Sequence, residues 1–152
     1  MNNQFSFQIE IPSDEDGFIL LQCPLCGELF KLTAVDIKAD DVLEIWCPFC
    51  GLVSETYLTD EVVELATRII KNNINDLLHN ELKKIERKFN RGMISFKVTS
   101  QPSHEFESPL IPIVDSLVNF GFKCCSRESK ISPMLKATSV FCPFCGVNCE
   151  HE

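Results

Sequence analysis

The sequence predicts an α+β protein in which two small β modules are joined by a long α-helix. Three copies of a C-P-x-C-G motif lie in the outer parts of the chain, at 23–27, 47–51 and 142–146. Between them, apolar side chains recur at helical spacing, whereas the flanking segments alternate as β-strands do. We therefore expect an N-terminal strand and first β module over 1–58, a connecting helix over 59–92 and a β-rich second module over 93–152.

The first module begins with alternating apolar and polar residues over 5–11, which predict a half-buried strand. An acidic turn follows at 12–17. From 18 to 57 the pattern predicts strands on both sides of the first two cysteine motifs, with Phe30 and Leu32 on one arm.

The helix has a clear start in the sequence. Thr59 is a suitable N-cap, and Asp60 and Glu61 place negative charge in the first turn. Apolar residues then recur at helical spacing until Gly92, which predicts one helix of roughly thirty residues, on the order of 45 Å long. Poor helix formers cluster at 72–76, so a break or kink there is the alternative.

The second module is predicted to be rich in strands. Residues 93–99 alternate as a strand does, whereas 101–112 contain three prolines and predict an extended loop. Two further strands are expected at 113–123 and 137–141.

We call each C-P-x-C-G motif a knuckle. Proline restricts φ, the two-residue gap lets both sulfurs converge, and glycine accepts the positive φ at which the chain leaves the turn. The first two knuckles form C-x2-C-x20-C-x2-C, at the upper end of the spacing expected for a four-cysteine zinc site. They predict a closed metal site formed by Cys23, Cys26, Cys47 and Cys50, with iron as the alternative to zinc.

The third knuckle has no second C-x2-C partner. The nearest upstream cysteines are an adjacent pair, and the predicted second site is therefore Cys124, Cys125, Cys142 and Cys145. Because adjacent side chains diverge on a strand, Cys149 or His151 is an alternative to one member of the pair. The other alternative is a decayed site in which Cys124 or Cys125 is simply buried.

The cysteine spacing and the N-terminal residues predict the cellular compartment of the protein. Nine cysteines is an odd total, and their paired spacing favours metal-bound thiolates over disulfides. The first ten residues lack the basic and apolar regions of an export signal, and no apolar run is long enough to span a bilayer. We therefore expect a cytoplasmic protein that binds two Zn²⁺ ions and does not contact a membrane.

The net charge of −8 favours a protein partner over naked nucleic acid. Each zinc bound by four thiolates would add a further −2 locally. The exception is a set of bases that share one helix face by their spacing, namely Lys84, Arg87, Lys88 and Arg91. Such a face usually complements the helix dipole in solvent, and a phosphate-binding strip is the sharper alternative.

Nothing in the sequence specifies a catalytic site or a small-molecule substrate. His79, His104 and His151 are isolated from any nucleophile or base partner. The C-P-F-C sequence is similar to a glutaredoxin redox motif, but here it precedes glycine and strand-like residues rather than a helix. We therefore expect a protein that is not an enzyme.

At the knuckles the chain resembles the zinc-ribbon superfamily. The order I-P-S-D-E-D-G-F from Ile11, C-P-L-C-G-E-L-F-K, C-P-F-C-G, a helix and a terminal C-P-F-C-G is similar to bacterial proteins of uncharacterised function that carry two zinc ribbons. The resemblance implies two zinc-ribbon modules and no particular activity. It implies metal binding at Cys23, Cys26, Cys47, Cys50, Cys142 and Cys145.

Rubredoxins are a second resemblance, since they share the knuckles, an acidic surface and an aromatic residue such as Trp46 before C-P-x-C-G. They lack a long helix and a second cysteine module. The function predicted is therefore a non-catalytic double zinc-ribbon adaptor that recognises another macromolecule, most readily a protein. A rubredoxin-like iron electron carrier and a nucleic-acid-binding regulator are the alternatives.

Overall fold

The computed structural model describes residues 6–92, 95–113 and 115–149. The elements in order are β1 (Phe18–Gln22), β2 (Leu29–Thr33), α1 (Ala34–Ile37), α2 (Asp60–Phe89), β3 (Val118–Phe122), β4 (Arg127–Ile131), a 3-10 turn (Leu135–Ala137), β5 (Val140–Phe141) and β6 (Asn148–Cys149). The mixed α+β class, with two β modules linked in sequence by a long helix, is confirmed.

The chain divides into two compact units. The first comprises Met1–Asp60 together with Leu110–Glu152, and the second comprises Glu61–Pro109. Both cysteine-bearing segments therefore belong to the first unit, although α2 separates them in sequence.

The main sheet of the first unit has the strand order β1-β2-β4-β3. The hairpins β1–β2 and β3–β4 are antiparallel, and they join where Lys31 of β2 pairs with Lys130 of β4. Strands β5 and β6 form a separate two-stranded sheet. The two predicted modules are thus halves of one sheet, related by an approximate two-fold axis near the lysine pair.

One face of this sheet forms a core shared by both halves. Alternation along β2 and β4 places Phe30, Leu32 and Ile131 on this face, all fully buried. Phe122 of β3 and three of the cysteines join them in a single apolar cluster. Each large side chain contributes roughly 2 kcal/mol by burial, so the halves stabilise each other.

The opposite face carries charges at its centre. The buried Lys31 ammonium lies 3.1 Å from Asp14 and 2.6 Å from Asp115. Lys130 lies 2.8 Å from the same Asp14 oxygen and 2.7 Å from Asp16. Burial acts to raise the pKa of Asp14, but hydrogen bonds from Lys130, the Phe18 amide and Lys31 hold it well below its usual range.

The second unit consists of α2 and the extended segment that follows it. Asn72 donates to the Glu105 carbonyl (2.9 Å) and the Glu107 carboxylate (2.8 Å), and it accepts from the Glu105 amide (2.8 Å). Asn75 donates to the Ser103 carbonyl (2.9 Å). The asparagines thus bind a neighbouring backbone within a continuous helix, and the break considered from the sequence does not occur.

Several local expectations are wrong. Residues 6–11 form no strand, and only Ser13 bridges to Ile19 at this edge. The second knuckle is flanked by the single bridge between Trp46 and Val53 instead of two strands. Residues 95–99 are not a strand, while residues 93 and 94 lie outside the described part of the chain. Of the strands expected at 113–123 and 137–141, only the shorter strands β3 and β5 are present among the described residues. The extended loop expected at 101–112 is confirmed.

No apolar run in the sequence is long enough to span a bilayer. Among the described residues, no helix combines the length and the apolarity needed to cross a bilayer.

Replacing Asp14 by Asn removes the charge that the two lysines share and keeps the Oδ1 acceptor used by the Phe18 amide (2.9 Å). Two directly opposed lysines would then lose their common counter-ion, so we expect a loss of about 2–3 kcal/mol in unfolding free energy. Denaturant unfolding of the metal-loaded protein measures this change. Glu15→Gln, at an exposed neighbour, is the control, and equal losses in the two variants would contradict the assignment.

Replacing Asn72 by Ala tests its hydrogen bonds in the second unit. Alanine is the better helix former, so α2 should persist while the backbone at 105–107 loosens, with the contacts of Asn75 and His104 left in place. We expect amide exchange at Glu105 to accelerate at least tenfold, which corresponds to about 1.4 kcal/mol. Asn73→Ala, at an exposed neighbour on the same helix, should leave the exchange rate unchanged. Unaltered protection in Asn72→Ala would show that other contacts hold the segment.

Candidate metal centres

The first metal centre is formed by two knuckles that meet at the end of the first hairpin. Cys23 and Cys26 lie in the β1–β2 turn, and Cys47 and Cys50 lie in the second knuckle. The Sγ atoms of Cys23 and Cys50 are 3.8 Å apart, and those of Cys26 and Cys47 are 3.6 Å apart. All four sulfurs lie within 4.8 Å of one another.

The second metal centre occupies the corresponding place in the other half of the sheet. Cys124 and Cys125 form the tight β3–β4 turn, and Cys142 and Cys145 belong to the third knuckle. The Sγ atoms of Cys125 and Cys142 are 3.5 Å apart, and those of Cys124 and Cys145 are 3.3 Å apart. These four sulfurs also lie within 4.8 Å of one another, so the structure brings both members of the adjacent pair together.

The spacing of the sulfurs fits a tetrahedral metal site. A tetrahedron with metal–sulfur bonds of about 2.3 Å has sulfur–sulfur edges of about 3.8 Å, close to the distances in both clusters. A disulfide would require about 2.05 Å, and all nine cysteines are free thiols. Four soft sulfur donors suit zinc or iron, and either ion would complete the geometry.

Backbone amides and burial set the properties of the thiols. Burial raises the pKa of Cys47 and Cys142 above the ordinary thiol value, and amide hydrogen bonds from Phe49, Cys50, Phe144 and Cys145 offset this effect in part. For Cys23, burial is outweighed by amide hydrogen bonds from Cys26 and Leu25, and its pKa is lowered. These amides are donors that would stabilise metal-bound thiolates.

The second and third knuckles brace each other. The Trp46 amide donates to the Pro143 carbonyl (2.9 Å), and the Phe141 amide donates to the Pro48 carbonyl (2.9 Å). The Trp46 ring covers Gly146, where an added Cβ would lie 2.7 Å from the indole, and the Phe141 ring covers Gly51 at 2.9 Å. We call this reciprocal pair of contacts the knuckle brace, and it links one metal centre to the other.

Two further side chains position the centres. The buried Tyr57 hydroxyl donates to the Ile45 carbonyl (2.7 Å) and accepts from the Ser54 amide (3.0 Å), which holds the loop around the second knuckle. Burial, together with the nearby thiols, raises the pKa of Tyr57 to about 12. Arg127 of β4 pairs with Asp36 and Asp41, so the loop after β2 is tied to the second hairpin.

The remaining sequence candidates lie elsewhere. Cys149 contacts the Val147 carbonyl at 3.7 Å and belongs to neither described cluster, and His151 lies outside the described residues. His104 pairs with Asp76 at 2.8 Å on the surface of the second unit. Of the predicted basic strip, Lys84 pairs with Glu81, and Arg87, Lys88 and Arg91 are exposed.

The knuckle brace was missed in the sequence, although a signal existed. Both Trp46 and Phe141 directly precede C-P-F-C-G, and no aromatic residue precedes the first knuckle. The aromatic residue before the motif therefore distinguishes the two knuckles that contact each other from the first knuckle.

No protein-family model, curated protein or solved structure matches this chain. The metal centres are therefore defined by their geometry alone.

Three glycines in equivalent knuckle positions provide a matched test of the brace. Gly27, Gly51 and Gly146 all have positive φ, at 78°, 67° and 70°, but a Cβ at Gly27 would meet nothing within 4 Å. Gly27→Ala should therefore show only the conformational cost of about 1–2 kcal/mol. Gly51→Ala and Gly146→Ala should lose about 1–3 kcal/mol more, because the new methyl group displaces an aromatic ring.

The measurements are unfolding of the metal-loaded variants and metal retention against a chelator. We expect Gly146→Ala to weaken retention at both centres, since the displaced Trp46 adjoins the second knuckle. Equal effects of all three substitutions would show that the brace contributes nothing.

Proposed function

We propose that this protein is a cytoplasmic, non-catalytic double zinc-ribbon adaptor that recognises a protein partner. The observation that carries the proposal is the pair of four-cysteine clusters with tetrahedral spacing. A metal held by four thiolates has no open position for water or substrate, and it stabilises the fold instead of performing chemistry. The free thiols are consistent with a reducing compartment.

The surface around the first centre supports recognition of a protein. Leu25 and Phe49, at the tips of its two knuckles, are 59% and 53% exposed, and Leu52 after the second knuckle is 53% exposed. Exposed apolar side chains grouped on a rigid element are typical of a protein interface. Phe144, at the tip of the third knuckle, is only 6% exposed, whereas Val147, the counterpart of Leu52, is 49% exposed. The two centres therefore differ at the knuckle tips, and the exposed tips of the first centre favour it as the contact surface.

The charges make nucleic acid the weaker alternative. The chain carries a net −8 before any metal-bound thiolates are counted. Lys84 of the basic strip is already paired with Glu81, which lies one turn earlier on the helix. Acidic residues repel a phosphate backbone, so binding through three exposed bases would be weak and salt-sensitive.

Metal analysis is the first test. Native mass spectrometry with elemental analysis on protein purified without added metal should give two zinc ions per chain. Cys124→Ser should disrupt the second centre, whereas Cys149→Ser should retain both ions. Iron in a coloured protein with reversible one-electron chemistry would replace the adaptor proposal with electron transfer.

Partner binding is the second test. Affinity capture with cross-linking should recover a specific protein with the wild-type chain and lose it with Leu25→Asp or Phe49→Asp. Val35→Asp, at a position 80% exposed on α1, is the control and should retain the partner. Capture of nucleic acid that is lost with salt and with charge reversal at Arg87, Lys88 and Arg91 would contradict the proposal.

A further inference from the structure

An exposed apolar stripe runs along α2 in the second unit. Its members are 40–58% exposed and are called here the α2 seam: Val63, Ile70, Ile74, Leu78, Leu82, Ile85 and Phe89. At 100° per residue they fall within about a third of the helix circumference. Asn72, which binds residues 105–107, lies well round the helix from the middle of this stripe, whereas Asn75 borders it, and Leu78 and Leu82 line a cavity with residues 100–103.

The positions of the α2 seam are arranged symmetrically about residue 76. With Thr67 included, its positions are 63, 67, 70, 74, 78, 82, 85 and 89, and each has a counterpart at equal distance from residue 76. Two antiparallel copies centred there would set Val63 against Phe89, Ile70 against Leu82 and Ile74 against Leu78. A surface that matches itself in this way is what a two-fold symmetric dimer requires.

The charges of the helix decide the direction of pairing. Residues 60–67 contain Asp60, Glu61 and Glu64 and no base, whereas residues 83–91 contain five bases and the single acid Glu86. Packed helices lie about 8–10 Å apart, within about one Debye length at physiological salt. A parallel pair would place each end beside its like charge, and an antiparallel pair places the acidic end beside the basic end.

The apolar surface of the α2 seam makes up most of the area that a specific dimer buries on each partner. Seven side chains, each about half exposed, offer roughly 600 Å² of apolar surface per copy, against about 800 Å² per partner in a standard interface. Polar side chains within the same arc of the helix, such as Lys71 and Glu81, would add the remainder. The mean spacing of about 3.7 residues is close to the 3.6 of a straight helix, so little supercoiling is needed.

We propose that two copies of this chain associate through their α2 seams as an antiparallel helix pair, with the two-fold axis passing near residue 76. The partner is therefore a second copy of the same chain. This dimer does not depend on the adaptor role of the metal centres, because the seam belongs to the second unit.

Analytical ultracentrifugation of the zinc-loaded full chain tests the assembly. We expect twice the chain mass of 17.3 kDa. The double variant Ile74→Asp with Leu78→Asp should be monomeric, since it places four carboxylates at the dimer centre. Asn73→Asp with Asn80→Asp adds the same charges at exposed positions outside the seam and should remain dimeric. Circular dichroism confirms that α2 persists in each variant.

A photo-crosslinker tests the direction. With p-benzoylphenylalanine at position 63, the crosslinked dimer should join that position to peptides near Phe89 of the second copy. A crosslink between the two positions 63 would establish a parallel pair and overturn the proposed arrangement. A monomeric wild-type chain at about 100 μM, where a micromolar dimer is mostly associated, or a dimer that survives Ile74→Asp with Leu78→Asp, would overturn the interface itself.

Discussion

The first unit depends on the convergence of four sulfurs at each of two points. Its strands are only two to five residues long, and strands of this length are marginal without further support. Burial of Phe30, Leu32, Phe122 and Ile131 forms a core, but a core of this size needs a structural metal as its complement. Thiolates brought to 3.3–3.8 Å would repel one another without a cation between them. A metal ion bound at each point would therefore supply the attraction that makes the hairpins and the knuckles one structure.

The two centres are built alike but are supported differently. Lys31 and Lys130 lie opposite each other at the approximate two-fold axis, which makes Phe30 and Ser129 equivalent positions. Phe30 packs edge-on against Tyr57 in the first half, whereas in the second half the aromatic side chains come from β3, where Phe122 packs against Phe144. The knuckle brace then crosses between the halves. Because each centre orders a ring that covers the other knuckle, folding of the two halves is expected to be cooperative.

The features that could be predicted from the sequence depend on a few neighbouring residues. The features that were missed depend on contacts between segments that are far apart in the chain. The ligands Cys23, Cys26, Cys47 and Cys50 follow from turn chemistry that a few residues determine. The adjacent Cys124 and Cys125 were both predicted as ligands, and the alternative in which Cys149 or His151 replaces one of them came from an argument about diverging side chains that applies to strands. These residues lie in a tight turn that ends at Ser126 with φ 56°, and a turn lets both sulfurs reach one point. Strand β4 was missed because four of its five residues, R-E-S-K-I, are polar, and the ion-pair partners of Arg127 and Lys130 are 86 or more residues earlier in the chain. The asparagines of α2 were similarly interpreted as poor helix formers, since the backbone that they bind was not visible in the local pattern.

Identical motifs serve different purposes in this molecule, and the difference bears on function. The second and third knuckles share the sequence C-P-F-C-G, yet Phe49 is exposed and Phe144 is buried beneath Arg127, whose guanidinium lies 5.4 Å from the ring centre. Phe144 packs edge-on against Phe122 on one side, and the ion pairs of Arg127 with Asp36 and Asp41 hold the guanidinium over its ring. The third knuckle therefore adds to the core, and the second is left to face solvent on a rigid support. An apolar side chain held in place in this way loses little conformational freedom when it is covered, which favours its use as a contact for another protein.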